Sequence, residues 1–235
     1  MATEAYGKLE MQFISYCRTG NLEGVRTALE NGLDVNTKNP RVGCACHDRS
    51  RTGLIWALLG KHNNVVQLLL NTPGIDVNYL DCWRMTAMHA AVEGHNYEGL
   101  AMLLTCPDLD VNPWDKFKRT PLWRAIEISA VDCMQLLLGD ERVDPNINVS
   151  FGPYGPFCPA LNHAVMGNNI PLIHSLLANP KTDPNTKDGT TWSKTPLMNA
   201  VKENKEDIVH ILLADPRVDL NTTENFERKS EDLPR

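Results

Sequence analysis

Cys44, Cys46 and His47 stand together in the stretch GCACH, and their types come nearest to metal chemistry in this chain. A structural zinc site takes four ligands, with cysteine pairs usually separated by about two to four residues. Here one residue separates the cysteines and no matching second pair follows; Cys82, further along, is not tied to the cluster by any spacing. The stretch reads as an exposed loop, and neither a metal nor a cofactor is expected. Among the seven histidines, His62, His95, His163, His174 and His210 are scattered along the chain and form no catalytic set. There is no nucleophile elbow, phosphate-binding glycine loop or HExxH pair. No catalytic residues are assigned and no enzymatic activity is expected.

Composition narrows the class further. A chain of 235 residues with 42% apolar residues has the material for a core, and a net charge of −6 argues against nucleic acid or anionic membrane as main partner. No apolar run is long enough to span a bilayer. The beginning, MATEAYGKLE, has neither the basic segment nor the apolar run of a secretory signal. Seven cysteines at irregular spacings then read as reduced thiols of a cytoplasmic or nuclear protein.

The elements show in RTPLWRAIEIS, residues 119–129. Thr120 is suited to cap a helix, its hydroxyl accepting from an unpaired backbone N–H. Pro121 fits the first helical position, where a missing N–H costs nothing. Leu122, Ala125 and Ile126 follow on one apolar face. So short a helix needs neighbours. Relatives of the stretch recur with anchors at Thr52, Thr86, Pro159 and Thr195, each followed by an alanine: Ala57, Ala91, Ala164 and Ala200. A second apolar block ends at Leu70, Leu104, Leu138, Leu177 and Leu213, and an Asp-x-Asn mark then closes each unit at Asn78, Asn112, Asn146, Asn185 and Asn221. An earlier mark at Asn36 closes a first unit, KLEMQFISYCR and NLEGVRTALEN, without a Thr-Pro start. Short helix, turn, second helix and Asp/Asn loop are thus repeated about six times, and such units must stack to bury their faces.

The pattern resembles the ankyrin repeat. It is met most fully from Asp81 to Asn112 and again in the TPL at Thr120 and Thr195, and the resemblance covers roughly residues 8 to 235. It implies an all-α ankyrin-repeat solenoid of helix-turn-helix units with β-hairpin-like finger loops. The expectation is one repeat domain over 1–235, with repeats near 8–36, 48–78, 81–112, 115–146, 155–185 and 190–221 and a partial cap at 222–235. Arg84, Lys118 and Ser193 stand where the family has a turn glycine, and His95, Ser129 and Asn204 replace the glycine between helices, so altered turns are expected. His89, the histidine of the family's TPLH, is expected to tie fingers together by hydrogen bonds. The resemblance also makes Asn78 and Asn112 similar to acceptors of asparaginyl hydroxylation. The stretches TKNPRVGCACHDRSR and INVSFGPYGPFC read as insertions at fingers. ENFERKSEDLPR reads as a repeat that stops early, leaving the face around Leu212 and Leu213 under-covered.

Function is sought on the fingers. Trp83, Phe117 and Trp192 each stand three residues before a Thr anchor, at the finger tip, with Trp114 and Tyr79 beside them. Aromatics dominate binding hot spots, although the same rings would serve to tuck one finger against the next. Met85, Arg119 and Lys194 directly precede anchors, Arg124 stands four residues after one, and Glu93 and Glu127 stand seven after. Together these imply a protein-binding scaffold or adaptor for a partner protein or peptide of mixed charge. The alternatives are a structural spacer and, behind it, a metal-dependent regulator acting through Cys44, Cys46 and His47.

Overall fold

The computed structural model describes residues 2–39, 50–147, 149–150, 157–190 and 193–223. Among the described residues the chain forms twelve helices and two two-residue strands. They are α1 (Ala2–Thr19), α2 (Leu22–Glu30), α3 (Gly53–Leu59), α4 (Asn63–Leu70), α5 (Ala87–Glu93), α6 (Tyr97–Leu104), α7 (Pro121–Glu127), α8 (Val131–Gly139), β1 (Val149–Ser150), β2 (Phe157–Cys158), α9 (Ala160–Met166), α10 (Ile170–Ala178), α11 (Pro196–Lys202) and α12 (Glu206–Leu213). Helix α1 starts at Ala2, earlier than the residue 8 expected from the sequence. Strands β1 and β2 pair antiparallel at the base of the second insertion. The base of the first insertion is held by an antiparallel bridge between Lys38 and Thr52.

Helix starts follow local chemistry. The Thr120 hydroxyl accepts from the Trp123 N–H at 3.2 Å and the Thr195 hydroxyl from the Met198 N–H at 3.3 Å. Pro121 and Pro196 take the first helical positions. Thr52, Thr86 and Pro159 hold the same extended backbone ahead of their helices. The turns depart from expectation. Arg84, Lys118 and Ser193, with φ of 57°, 61° and 46°, keep the left-handed backbone that a glycine would take. His95, Ser129 and Asn204 do the same between helices, with φ of 49°, 56° and 56°. The turn geometry is retained and its conformational cost is borne by ordinary side chains.

Two compact units emerge, Met1–Arg142 and Val143–Arg235. In the first, α1, α3, α5 and α7 pack side by side as one layer, and α2, α4, α6 and α8 form a second layer behind them. Leu54, Leu58, Met88, Leu100 and Leu103 are fully enclosed between these layers. Each buried leucine contributes about 1.5–3 kcal/mol, which explains how helices of seven or eight residues persist. Close approach is built in: a Cβ on Gly94 would lie 2.9 Å from the Leu58 carbonyl oxygen. In the second unit α9 packs against α10 and α11, and α11 against α12, around Leu161, Ile173 and Leu176. Leu212 is fully buried there, contrary to the expectation of an under-covered face, whereas Leu213 remains 49% exposed.

Within each unit, side chains bind one helix pair to another. The Asn96 amide donates to the Leu58 carbonyl at the end of α3, and the Lys205 ammonium donates to Val165 and Met166 carbonyls at the end of α9. Helix-end carbonyls otherwise lack partners. The Asp-x-Asn marks work in two steps. Asp76 and Asp110 accept from the N–H groups of Asn78 and Asn112, and Asn78 then donates to the Asp108 carbonyl at 2.7 Å and accepts from the Asp110 N–H at 2.8 Å. Asn146 and Asn185 bridge in the same way within the second unit.

Candidate functional site

The two fingers at residues 81–85 and 115–119 are shaped by their leading aspartates. Asp81 accepts from the N–H groups of Trp83 and Met85, and Asp115 from those of Phe117 and Arg119, all at 2.8–2.9 Å. The fingers are joined by the Lys116 N–H, which donates to the Trp83 carbonyl at 2.8 Å. This register sets Trp83 and Phe117 edge to face, with centroids 5.8 Å apart and planes at 78°. Trp83 is half-buried, Phe117 is 36% exposed and Trp114 is 37% exposed.

Beside the aromatics runs a chain of ion pairs. The Arg119 guanidinium lies 4.8 Å over the Phe117 ring, donates to Asp115 at 2.6 and 2.8 Å, and reaches Glu127 at 2.8 Å. Glu127 also accepts from Arg124 at 2.8 Å, and Arg124 donates onward to Glu93 at 3.2 Å. Burial works against the charge on Arg119, but the Asp115 and Glu127 carboxylates outweigh it and hold its proton more tightly than usual. Helices α5 and α7 and one finger thereby share a single charged strip.

His89 secures the strip from beneath. Its Nδ1 lies 3.1 Å from the Thr86 hydroxyl and 3.4 Å from the Thr86 N–H, and its Nε2 lies 3.1 Å from the Arg119 carbonyl. The tie expected of this histidine is present. Burial drives its pKa down, against the raising pull of the Arg119 carbonyl. In the second unit Asn162 does the same work, its amide donating to the Lys194 carbonyl at 3.0 Å. Sequence reading missed Asn162, although it stands three residues after its anchor, as His89 does.

Other predicted positions divide. Arg119, Glu93 and Glu127 come together, joined by Arg124, whose linking role no spacing revealed. Met85 and Lys194 do not belong to an open surface: they are 3% and 8% exposed, because the fingers' aspartates fold each against the helix start behind it. Trp192 and the GCACH cluster of Cys44, Cys46 and His47 lie outside the described residues, as does Phe226, which the sequence ENFERKSEDL sets at the same finger-tip position after Asn221. Cys17 and Cys158 are free, and burial pushes each thiol up to about 12. A broad trough of about 1040 Å³ lies away from the fingers, where α4, α6 and α8 meet. The asparagines on its wall, Asn63 and Asn96, are bonded to each other, so the finger surface is the better candidate.

The sequence matches the family described as ankyrin repeats (3 copies) over residues 13–115 and 54–150, and a single ankyrin repeat over 193–225. The chain belongs to the ankyrin-repeat family. Ankyrin repeats are in general protein–protein interaction modules. The fold is also similar to the crystal structure of the ankyrin repeat domain of Bcl-3, described as a unique member of the IkappaB protein family. That likeness has a TM-score of 0.71 at 23% identity and covers 88% of this chain and 86% of the other. It concerns the fold. No curated protein matches the ankyrin-repeat chain significantly in sequence. No helix among the described residues is long and apolar enough to cross a membrane.

Proposed function

We propose that this ankyrin-repeat chain is a non-catalytic scaffold or adaptor that binds a partner protein or peptide through its fingers and first helices. The observation that carries this reading is the edge-to-face pair of Trp83 and Phe117, partly open and set against the Arg119–Glu127–Arg124–Glu93 strip. Aromatic rings backed by arginine are the commonest makings of a hot spot, and each is worth about 2 kcal/mol or more when seated in a partner. Trp114, exposed on the same finger segment, extends the contact. Trp192 is proposed to serve likewise in the second unit. The site of action is cytoplasmic or nuclear, in keeping with the free thiols.

One observation favours a structural spacer: the two rings pack on each other across neighbouring fingers, as staples would. The variant Trp83→Ala/Phe117→Ala separates the readings. Affinity capture with crosslinking is expected to recover partners with the wild-type chain and at least tenfold less with the variant. The variant's melting temperature is expected to fall by only a few degrees, since an aromatic pair adds about 0.5–1.5 kcal/mol beyond its buried area. An unfolded variant makes the rings staples. A folded variant with undiminished capture moves the contact surface elsewhere.

A further inference from the structure

Resting on the protein-binding reading, we propose that the fingers of the first unit receive an acidic peptide segment in which carboxylates alternate with apolar side chains. The charge balance of the fingers carries this. Each acidic group there has an internal cation: Asp81 pairs with Arg51 at 3.4 Å, Asp115 with Arg119 at 2.6 Å, and Glu127 and Glu93 share Arg124. Three cations remain. Arg84, Lys116 and Lys118 are exposed, and among the described residues no carboxylate lies within ion-pair distance of them. The chain as a whole carries a charge of −6, so a positive surplus at these tips is a local feature and not a general one.

The aromatics refine the partner. Lys116 lies 5.9 Å over Trp83 and Lys118 5.0 Å over Trp114, while Arg119 covers Phe117 at 4.8 Å. The same arrangement recurs at the finger before, where Lys38 lies 5.3 Å over Tyr79. Each of these finger rings therefore has a cation beside it, and a carboxylate meeting the cation brings its neighbouring apolar side chain against the ring. A nucleic acid fits less well. Base stacking needs an open ring face, and one face of each of these rings already carries a cation. Glu93 and Glu127 on the adjoining helices would also repel a continuous run of phosphates. A uniformly charged polyanion is thus disfavoured against a short segment that supplies both charge and apolar contact. The earlier expectation of mixed charge becomes a specific one: acidic at the fingers.

The test uses the whole chain and three labelled probes followed by fluorescence anisotropy. The first is a peptide in which Asp and Glu alternate with Leu and Phe, the second its Asn and Gln counterpart, and the third an oligothymidylate. The acidic peptide is expected to bind at least tenfold tighter than the amide peptide, and to weaken as salt is raised. The variant Arg84→Glu/Lys116→Glu/Lys118→Glu should lose at least tenfold in that affinity, and Arg84→Gln/Lys116→Gln/Lys118→Gln should fall between. Circular dichroism of both variants checks that the loss is not unfolding, and if the Glu variant unfolds the Gln variant decides. Equal binding of the two peptides, no binding of the acidic one, or preference for the oligothymidylate overturns the proposal. Charge variants that leave partner capture intact sink the acidic-segment inference alone, whereas full capture by the Trp83→Ala/Phe117→Ala variant sinks the underlying reading of the surface.

Discussion

His89 shows how much one buried side chain carries. Nδ1 faces the Thr86 N–H, so it accepts, and Nε2 donates to the Arg119 carbonyl, which assigns the neutral tautomer. Protonating Nδ1 would turn a donor against a donor in a site with no exposed surface. A folded-state pKa below that of the unfolded chain means that the unfolded state takes up the proton first. Stability from this group is therefore complete above about pH 6.5 and declines as pH falls below it, by at most about 1.4 kcal/mol per pH unit. Urea denaturation at pH 7.5 and 5.5 is expected to show this loss in the wild-type chain, and to show a smaller one in His89→Gln. The variant is expected to be less stable at pH 7.5 by about 1–3 kcal/mol, since the Arg119 carbonyl loses a well-placed donor. An identical pH response in both proteins would assign the sensitivity to another group.

At the scale of the helix pair, turn conformation prevails over residue preference. Ser129 and His95 sit in the left-handed region at φ of 56° and 49°, both exposed. A side chain there costs about 1–2 kcal/mol, whereas glycine gives back about 0.5–1 kcal/mol through the freedom of the unfolded chain. His95→Gly/Ser129→Gly is therefore expected to stabilise the protein by about 1 kcal/mol and to raise the melting temperature by about 2–4 °C. A lower melting temperature in calorimetry would mean that these side chains make contributions larger than the strain. Helix ends are governed in a parallel way. Arg217, held by Asp215, donates to the Leu177, Asn179, Pro180 and Thr182 carbonyls at the end of α10, and Arg142, held by Asp140, donates to Leu104 and Cys106 at the end of α6. The sequence signal was present in DER and DPR, an Asp two residues before an Arg, but only the stacked neighbour supplies the carbonyls.

Across the molecule, the two units differ in how they meet acid. The first carries His89, whose contribution starts to fade below about pH 6.5. The second carries Asp188 and Asp215. Burial pushes Asp188 up, but hydrogen bonds from Asn199, Thr190 and the Lys194 N–H outweigh it and leave the carboxyl below its ordinary value. Hydrogen bonds from Arg217 hold Asp215 down as well. Depressed carboxylates stabilise the fold above the ordinary value of about 3.9 and lose that contribution only as pH falls through the folded-state values. Hydrogen exchange, corrected for intrinsic rates, is expected to show α5 and α7 losing protection between pH 7 and 5, with α11 and α12 holding until below about pH 4. Loss of α11 protection at pH 5 would contradict the assignment.

Much of this protein was legible from its residues. Thr-Pro caps, alanines at a constant offset and Asp-x-Asn marks repeat because each is a local solution to starting, packing or ending a short helix, and local solutions survive in one dimension. They determined the helix pairs, their order and the ankyrin family. The role of His89 followed from the family pattern. What the sequence alone did not determine was which finger side chains face outward. Met85 and Lys194 looked like equals of Arg119, yet of the three only Arg119 keeps part of its side chain exposed, about 15%, with its guanidinium bonded to the more open Glu127 on the helix behind. Nor did spacing join Arg124 to Glu93, or set Trp83 against Phe117. Those contacts run between neighbouring repeats more than thirty residues apart, and the distance and angle between two stacked fingers exist only once their helices have packed.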